Sequence, residues 1–248
     1  MALNLTELAV VAAVFLMAGA VKGVIGLGLP TIAMGLLGAL MAPTRAAAIL
    51  VIPTLLTNIW QMWSGPALAA LLRRLWPMLI CAVLGTVMAA GILTRANARL
   101  TTALLGTVLM VYCVVGLAGW HFKVRRTSEP WLAPLIGFTT GLINGATGIF
   151  VLPGVPYLQA IDLDKDDLVQ ALALSAFTST VALALGLGIN SSFGFDIAAP
   201  TLVALAAAFA GMAVGQVARG GLSVAAFRRW VFIGLFALGA TMVARFAW

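Results

Sequence analysis

Two glycine-rich segments interrupt the longest apolar runs of the chain, KGVIGLGLP at 22–30 and GLINGATG at 141–148. Glycine frees the backbone and lets a ligand or another chain approach closely. A helix that restarts after such a break directs unpaired N–H groups and the positive end of its dipole into the gap, which suits a small anion. The two segments therefore predict an anion site. The alternative is that the glycines only permit close helix packing.

Lys22 adds a cation at the start of the first glycine-rich segment. It is the only charged residue between Glu7 and Arg45. A charge at membrane depth is costly and marks a functional site by default. The alternative is that its long side chain snorkels to the interface. The other candidate donors in the two segments are main-chain N–H groups and short polar side chains, at Gly26, Gly28, Asn144, Gly145, Thr147 and Gly148.

Polar residues recur on the apolar runs that follow each glycine-rich segment. In the first half they are spaced at i, i+3, i+4 and i+7, which places them on one helix face: Thr54, Thr57, Asn58 and Gln61. A similar set in the second half is Ser175, Thr178 and Ser179. We expect Asn58, Thr178 and Ser179 to flank the anion site in a shared polar cavity. Hydrogen bonding between helices is the alternative role.

The composition determines what kind of element positions these residues. Of the 248 residues, 63% are apolar and 8% are charged, whereas a soluble domain has about 25% charged residues. A soluble enzyme and a nucleic-acid-binding module are therefore excluded. We expect the protein to be embedded in the lipid bilayer. The net charge of +7 arises from Lys and Arg scattered between apolar runs, as in helices anchored to lipid headgroups. The fold class expected is an all-α polytopic membrane protein.

Two of the eight apolar runs are too long for one membrane crossing and short for two. They are 8–44 and 130–161, and each contains a glycine-rich segment. We expect each to form two short helices that fold back, as a hairpin or a re-entrant pair. The chain would then have about ten helical segments.

The two halves of the chain are also repeats. Gly19 and Gly23 align with Gly137 and Gly141, each 118 positions later. We divide the chain into a first membrane repeat at 1–120, a cytoplasmic linker at 121–130 and a second membrane repeat at 131–248. If both broken runs fold back, the halves have opposite orientations. Such inverted repeats are typical of secondary transporters, whose sites lie near the midplane.

Charge bias predicts the orientation. With both broken runs folded back, one side collects ten Lys and Arg residues and the other side four, out of the fourteen in the chain. The positive-inside rule then places both termini in the periplasm. The apolar runs contain no deep Asp or Glu, no metal-ligand cluster and no Ser–His–Asp set. We therefore predict no enzymatic activity, no metal and no cofactor.

The chain resembles the sulfite exporter TauE/SafE family over nearly its whole length. The residues that carry the resemblance are Gly19, Gly23, Gly26, Gly28, Gly137, Gly141, Gly145, Gly148 and Pro153. The resemblance implies transport of small sulfur-containing or carboxylate anions, such as sulfite, sulfoacetate or other organosulfonates, across a bacterial inner membrane.

The function we expect is secondary transport of such an anion by alternating access. Two alternatives remain: a passive anion channel of the same architecture and, more remotely, a membrane-embedded transferase. The expected partners are the small anion and the bilayer, with no nucleic acid, and a homodimer is left open. The substrate itself, the direction of transport and the coupling ion are not determined by the sequence.

Overall fold

The computed structural model describes residues 5–63, 65–119, 123–190, 197–220 and 223–247. These residues form ten α-helices, which confirms the all-helical fold class. The helices are α1 Leu5–Ile25, α2 Leu29–Leu40, α3 Pro43–Trp63, α4 Leu68–Arg95, α5 Ala98–Ala118, α6 Glu129–Thr147, α7 Gly154–Ala160, α8 Lys165–Ile189, α9 Ala198–Ala218 and α10 Val224–Ala247.

Seven of the described helices are long and apolar enough to cross a membrane, namely α1, α3, α4, α5, α8, α9 and α10. The helix α2 is apolar but shorter. An isolated segment in lipid must satisfy its own backbone hydrogen bonds, and a helix does so within one segment. The chain is therefore a polytopic membrane protein.

Both long apolar runs break at their glycine-rich segments, as predicted. The first run divides into α1 and α2, and Gly26 and Gly28 between them have φ angles of 86° and 107°. The second run divides into α6 and α7, and Gly148 at the end of α6 has a φ of 73°. Glycine takes up this left-handed backbone without a steric penalty.

The expectation of two short helices in each broken run is wrong for the first member of each pair. The helices α1 and α6 have 21 and 19 residues, whereas α2 and α7 have 12 and 7. At 1.5 Å per residue, α2 is about 18 Å long and α7 about 10 Å, against a hydrocarbon core of about 30 Å. Each break therefore comes near the end of a long helix, and the helix that follows is too short to cross.

The first helix of each half packs against the fourth helix of the other half. A Cβ atom on Gly23 of α1 would collide with the main-chain carbonyl of Met212 on α9. A Cβ atom on Gly141 of α6 would collide in the same way with Ala82 on α4. Gly141 follows Gly23 by 118 positions and Met212 follows Ala82 by 130. The two contacts join corresponding helices of the two halves, at offsets that differ by 12 positions, and the internal repeat stays a prediction. The domain boundaries stay a prediction, and the first two positions of the linker lie outside the described residues.

Within the described ranges, two ion pairs connect helix ends. Arg45 near the start of α3 bonds Glu7 in the first turn of α1 at 2.9 Å. Arg74 of α4 bonds both carboxylate oxygens of Glu129 at the start of α6, at 2.9 and 2.7 Å. Because α1 and α3 begin at a common end, their later residues reach similar depths. This alignment brings Lys22 level with Asn58.

Gln170 of α8 holds the turn between α3 and α4. Its Nε2 donates to the carbonyls of Met62 and Gly65, each at 2.7 Å, and its Oε1 accepts from the N–H of Ala67 at 3.0 Å. The side chain is 1% exposed. One amide therefore satisfies three main-chain groups of this turn.

We expect Gln170→Leu to lower the free energy of unfolding by about 2–4 kcal/mol, because buried polar groups left without a partner cost about 1–3 kcal/mol each. Thermal unfolding in detergent would measure the change. Gln216→Leu, at an exposed position on α9, is the matched control and should have little effect. Equal midpoints for the two variants would show that the turn does not depend on Gln170.

Candidate anion-binding site

Lys22 is buried near the end of α1 and is hydrogen-bonded to neutral groups. Its side chain is 4% exposed. The Nζ atom donates to Thr57 Oγ1 at 3.1 Å and to Asn58 Oδ1 at 2.5 Å. Neither ion pair found in the described part of the chain includes it. An ammonium has three donors, so one N–H and the whole positive charge remain for another ligand.

The polar face of α3 supplies the acceptors for Lys22. The Thr57 hydroxyl donates to the carbonyl of Pro53 at 2.8 Å, so its lone pairs are directed to the ammonium. The Asn58 side chain accepts through Oδ1, while its Nδ2 is buried without a hydrogen-bond partner. An unsatisfied buried donor is costly and calls for an explanation. Lys22 and Asn58 thus present two adjacent donors for one anion.

Both breaks contribute to the pocket around Lys22. From the first break the pocket is lined by Gly26, Leu27, Gly28 and Pro30, and from the second by Phe150. Gln61 Nε2 donates to the carbonyl of Gly26 at 3.0 Å, which ties the first break to α3. The pocket volume is about 10 Å³, roughly the space one water needs. The pocket is therefore closed in this conformation.

The second glycine-rich segment forms a separate polar cluster. Asn144 Nδ2 donates to the carbonyl of Ser179 at 2.9 Å and to Thr86 Oγ1 at 3.2 Å. Thr147 Oγ1 donates to the carbonyl of Ile143 within its own helix at 2.7 Å. Gly145 lies directly against the backbone of Thr86 on α4. These contacts hold α6 against α4 and α8.

Gly148, Thr178 and Ser179 complete the predicted set. A Cβ atom on Gly148 would lie 3.1 Å from the sulfur of Met34, so the second break packs against α2. Thr178 is half-buried on α8. The hydroxyl of Ser179 is buried without a hydrogen-bond partner. Ser179 lies one turn after Ala176, which lines the Lys22 pocket, so α8 connects the two polar clusters.

The structure thus brings together four of the predicted residues, Lys22, Gly26, Gly28 and Asn58, in one pocket. It places Asn144, Gly145, Thr147, Gly148, Thr178 and Ser179 outside the lining of that pocket. Two further residues of the site are Thr57, which contacts Lys22, and Gln61, which lines the pocket. Their periodic spacing predicted them only as members of the polar face of α3. Phe150 carried no signal in the sequence beyond its place just after a break.

Lys22 and the pocket around it lie toward the end of α1. Lys22 follows Glu7 by 15 positions, about 22 Å along a helix. Trp60 and Trp63, just after Asn58, are exposed, as expected of an aromatic belt at the interface. The pocket therefore lies nearer the end of α1 than its start, and the midplane position of the site stays a prediction.

Only the first half carries the cation. The residue 118 positions after Lys22 is Thr140, which is 1% exposed and whose hydroxyl has no hydrogen-bond partner. A Cβ atom on Gly154 of α7 would lie 3.1 Å from that hydroxyl, so α7 packs closely over it. The predicted repeat partner of Lys22 therefore carries no charge.

The described residues contain seven helices able to cross a membrane, and the glycine breaks after α1 and α6 lie near a buried cation, as in a polytopic membrane protein. The family model described as Sulfite exporter TauE/SafE matches residues 11–242. The chain therefore belongs to this family, whose members are transporters and not enzymes. The resemblance inferred from the glycine motifs is confirmed. No curated protein and no solved structure matches the chain.

Proposed function

We propose that the protein is a secondary transporter that moves a small sulfur-containing or carboxylate anion, such as sulfite or an organosulfonate, across a bacterial inner membrane. The observation that carries the proposal is the environment of Lys22. The ammonium is buried beside the unpartnered Nδ2 of Asn58, and no carboxylate pairs with it in the described residues. A buried charge is stable only when paired or well hydrogen-bonded.

The chemistry of an oxyanion fits these donors. Sulfite and sulfonate groups carry several oxygen acceptors around one sulfur atom. One oxygen would accept from Lys22 Nζ and a second from Asn58 Nδ2. Hydrogen bonds between charged groups are shorter and about twice as strong as neutral ones. The anion would also neutralise the buried ammonium, so binding would remove the main electrostatic cost of the site.

Alternating access accounts for the closed pocket. A volume of about 10 Å³ does not admit an anion, so the pocket must open for binding. Leu27, Gly28 and Leu172 line both this pocket and a larger cavity of about 380 Å³. They therefore form the barrier between the two spaces. Movement about Gly26 and Gly28, or rocking of one half against the other, would open it.

The lining of the larger cavity indicates the side of the membrane toward which the Lys22 pocket would open. It is lined by Lys123, which belongs to the predicted cytoplasmic linker, and by Arg228 at the start of α10. Under our orientation, with both termini in the periplasm, this cavity faces the cytoplasm. A homodimer, which the sequence left open, is a separate question that cross-linking in native membranes would test.

Counterflow in proteoliposomes tests the proposal. Vesicles loaded with excess unlabelled sulfite should take up radiolabelled sulfite transiently above its equilibrium level, because an alternating carrier exchanges one anion for another. Uptake should saturate with concentration. Flux that neither saturates nor shows counterflow would identify the passive channel instead. Vesicles with Lys22→Gln protein are the control for leak.

If sulfite gives no uptake, the same vesicles can be tested with thiosulfate, sulfoacetate, taurine, isethionate and lactate. Taurine is zwitterionic, so its failure beside a positive result for isethionate would show that net negative charge is required. Failure of every anion would contradict the proposed function.

A further inference from the structure

Lys22 is the only Asp, Glu, His, Lys or Arg residue that is buried among the residues that the structure describes. Ionisable residues inside a membrane protein often form the proton pathways of pumps and transporters. A proton that drives transport needs a titratable group in contact with the substrate site. Lys22 is such a group, because it is buried and lines the proposed anion pocket.

No other titratable side chain of the described chain lines the Lys22 pocket. The remaining lining comes from the two breaks and from α2, α3 and α8, and none of those residues can ionise. The helix α9, which packs along α1 at Gly23, contains no charged residue. Arg219, which follows α9, is exposed. The pocket itself therefore supplies no negative charge.

The charged residues of the neighbouring helices lie near helix ends. On α1 and α3 they are Glu7 and Arg45, which pair with each other 15 positions before Lys22 along α1. On α8 and α10 they are Lys165, Asp166, Asp167, Arg228, Arg229 and Arg245. Both Asp residues come before Leu172, the first residue of α8 that lines the pocket. No carboxylate in the described ranges forms an ion pair with Lys22.

The hydrogen bonds of Lys22 Nζ match those of a neutral amine. An ammonium has three N–H donors, whereas an amine has two and a lone pair. The two acceptors of Nζ in the described chain are Thr57 Oγ1 and Asn58 Oδ1, which use both N–H groups of an amine. A buried charge that is neither paired nor fully hydrogen-bonded becomes neutral instead. The closed, empty pocket therefore favours the amine.

We propose that Lys22 couples transport to protons, so that one proton enters the pocket with each monovalent anion. The inference rests on the proposed function. The lone pair of Nζ accepts a proton from water and forms the third N–H bond, to which the anion binds as acceptor and counterion. When the anion leaves on the other side, this N–H bond breaks and the proton returns to water. The loaded and the empty pocket are then both electrically neutral.

The test uses isethionate, whose sulfonate group stays ionised at every pH used, so that a proton that moves with it is carried by the protein. Proteoliposomes contain a pH-sensitive dye, and valinomycin with equal potassium clamps the membrane potential. An inward isethionate gradient should acidify the lumen. A lumen that is one pH unit more basic than the outside should accumulate isethionate about tenfold, because one pH unit is equivalent to a tenfold concentration ratio.

Lys22→Arg separates the charge from the proton. A guanidinium remains protonated at every accessible pH, so this variant should bind isethionate without moving a proton. In detergent, the Kd of the parent protein should increase about tenfold per pH unit above neutrality, whereas that of Lys22→Arg should stay constant. Lys165→Gln, at an exposed position, should retain the behaviour of the parent protein. The pH dependence of the parent Kd tests the proposal even where Lys22→Arg does not fold.

Three results would overturn the inference. They are isethionate uptake by the parent protein that ignores the pH gradient, luminal acidification that persists in Lys22→Arg, and the absence of isethionate binding. Sulfite counterflow separates these results from a failure of the proposed function. If counterflow is present, the protein is a transporter in which Lys22 does not couple protons. If counterflow is absent for every anion tested, both proposals are refuted.

Discussion

Lys22→Gln is expected to reduce sulfite transport at least 100-fold and to remove the stabilisation of the protein by sulfite. Glutamine keeps a polar side chain at this position, but it supplies no charge. A hydrogen bond to a charged group contributes about 1.5–3 kcal/mol, and a 100-fold loss corresponds to about 2.7 kcal/mol. A radiolabelled flux assay and a thermal shift with sulfite measure the two effects.

The unfolding midpoint without ligand separates a binding role for Lys22 from a structural one. A buried ammonium that lacks a counterion destabilises the folded protein, so Lys22→Gln should be at least as stable as the parent protein. Lys165→Gln, at an exposed position at the start of α8, is the matched control and should retain both stability and transport. Unchanged sulfite affinity in Lys22→Gln would refute the proposed site.

Gly141→Ala is expected to prevent normal folding, although it adds a single methyl group. The new Cβ atom would collide with the carbonyl of Ala82 and would lie 2.8 Å from the N–H of Thr86. Both are backbone atoms of α4, which cannot move aside as a side chain does. We expect a loss on the order of 3 kcal/mol or more, at or above the upper end of overpacked cores. The yield of monodisperse protein in size-exclusion chromatography measures it.

Gly91→Ala and Gly234→Ala are the controls for this substitution. A Cβ atom at either position meets no atom within 4 Å. Both glycines lie within helices, where alanine is favoured by about 0.5–1 kcal/mol. These variants should therefore be as stable as the parent protein or more so.

Gly23→Ala tests the internal repeat through the same measurement. Its Cβ atom would meet Met212 and the N–H of Gln216 on α9, as that of Gly141 meets α4. We expect a comparable loss from both variants. A mild effect at Gly23 beside a severe one at Gly141 would show that the two interfaces are not equivalent.

Much of the fold follows from local features of the sequence. Long apolar runs become helices because lipid offers no hydrogen-bond partner for the backbone. The breaks come at Gly26–Gly28 and Gly148 because glycine tolerates positive φ angles. The lengths of the two helices in each broken run could not be predicted from the sequence, because the position of a break within a run depends on how the chain packs around it.

The sequence by itself determined the membrane class, the helical elements, the places of the breaks and the isolated charge at Lys22. Only the tertiary structure decided which polar groups meet. Lys22 contacts Asn58, 36 positions later, whereas Asn144 bonds α4 and α8. Several helix faces carry similar Thr, Ser and Asn residues, so local patterns cannot distinguish their partners. The packing of glycine backbones between the two halves sets the register of the helices, and that register selects the contacts.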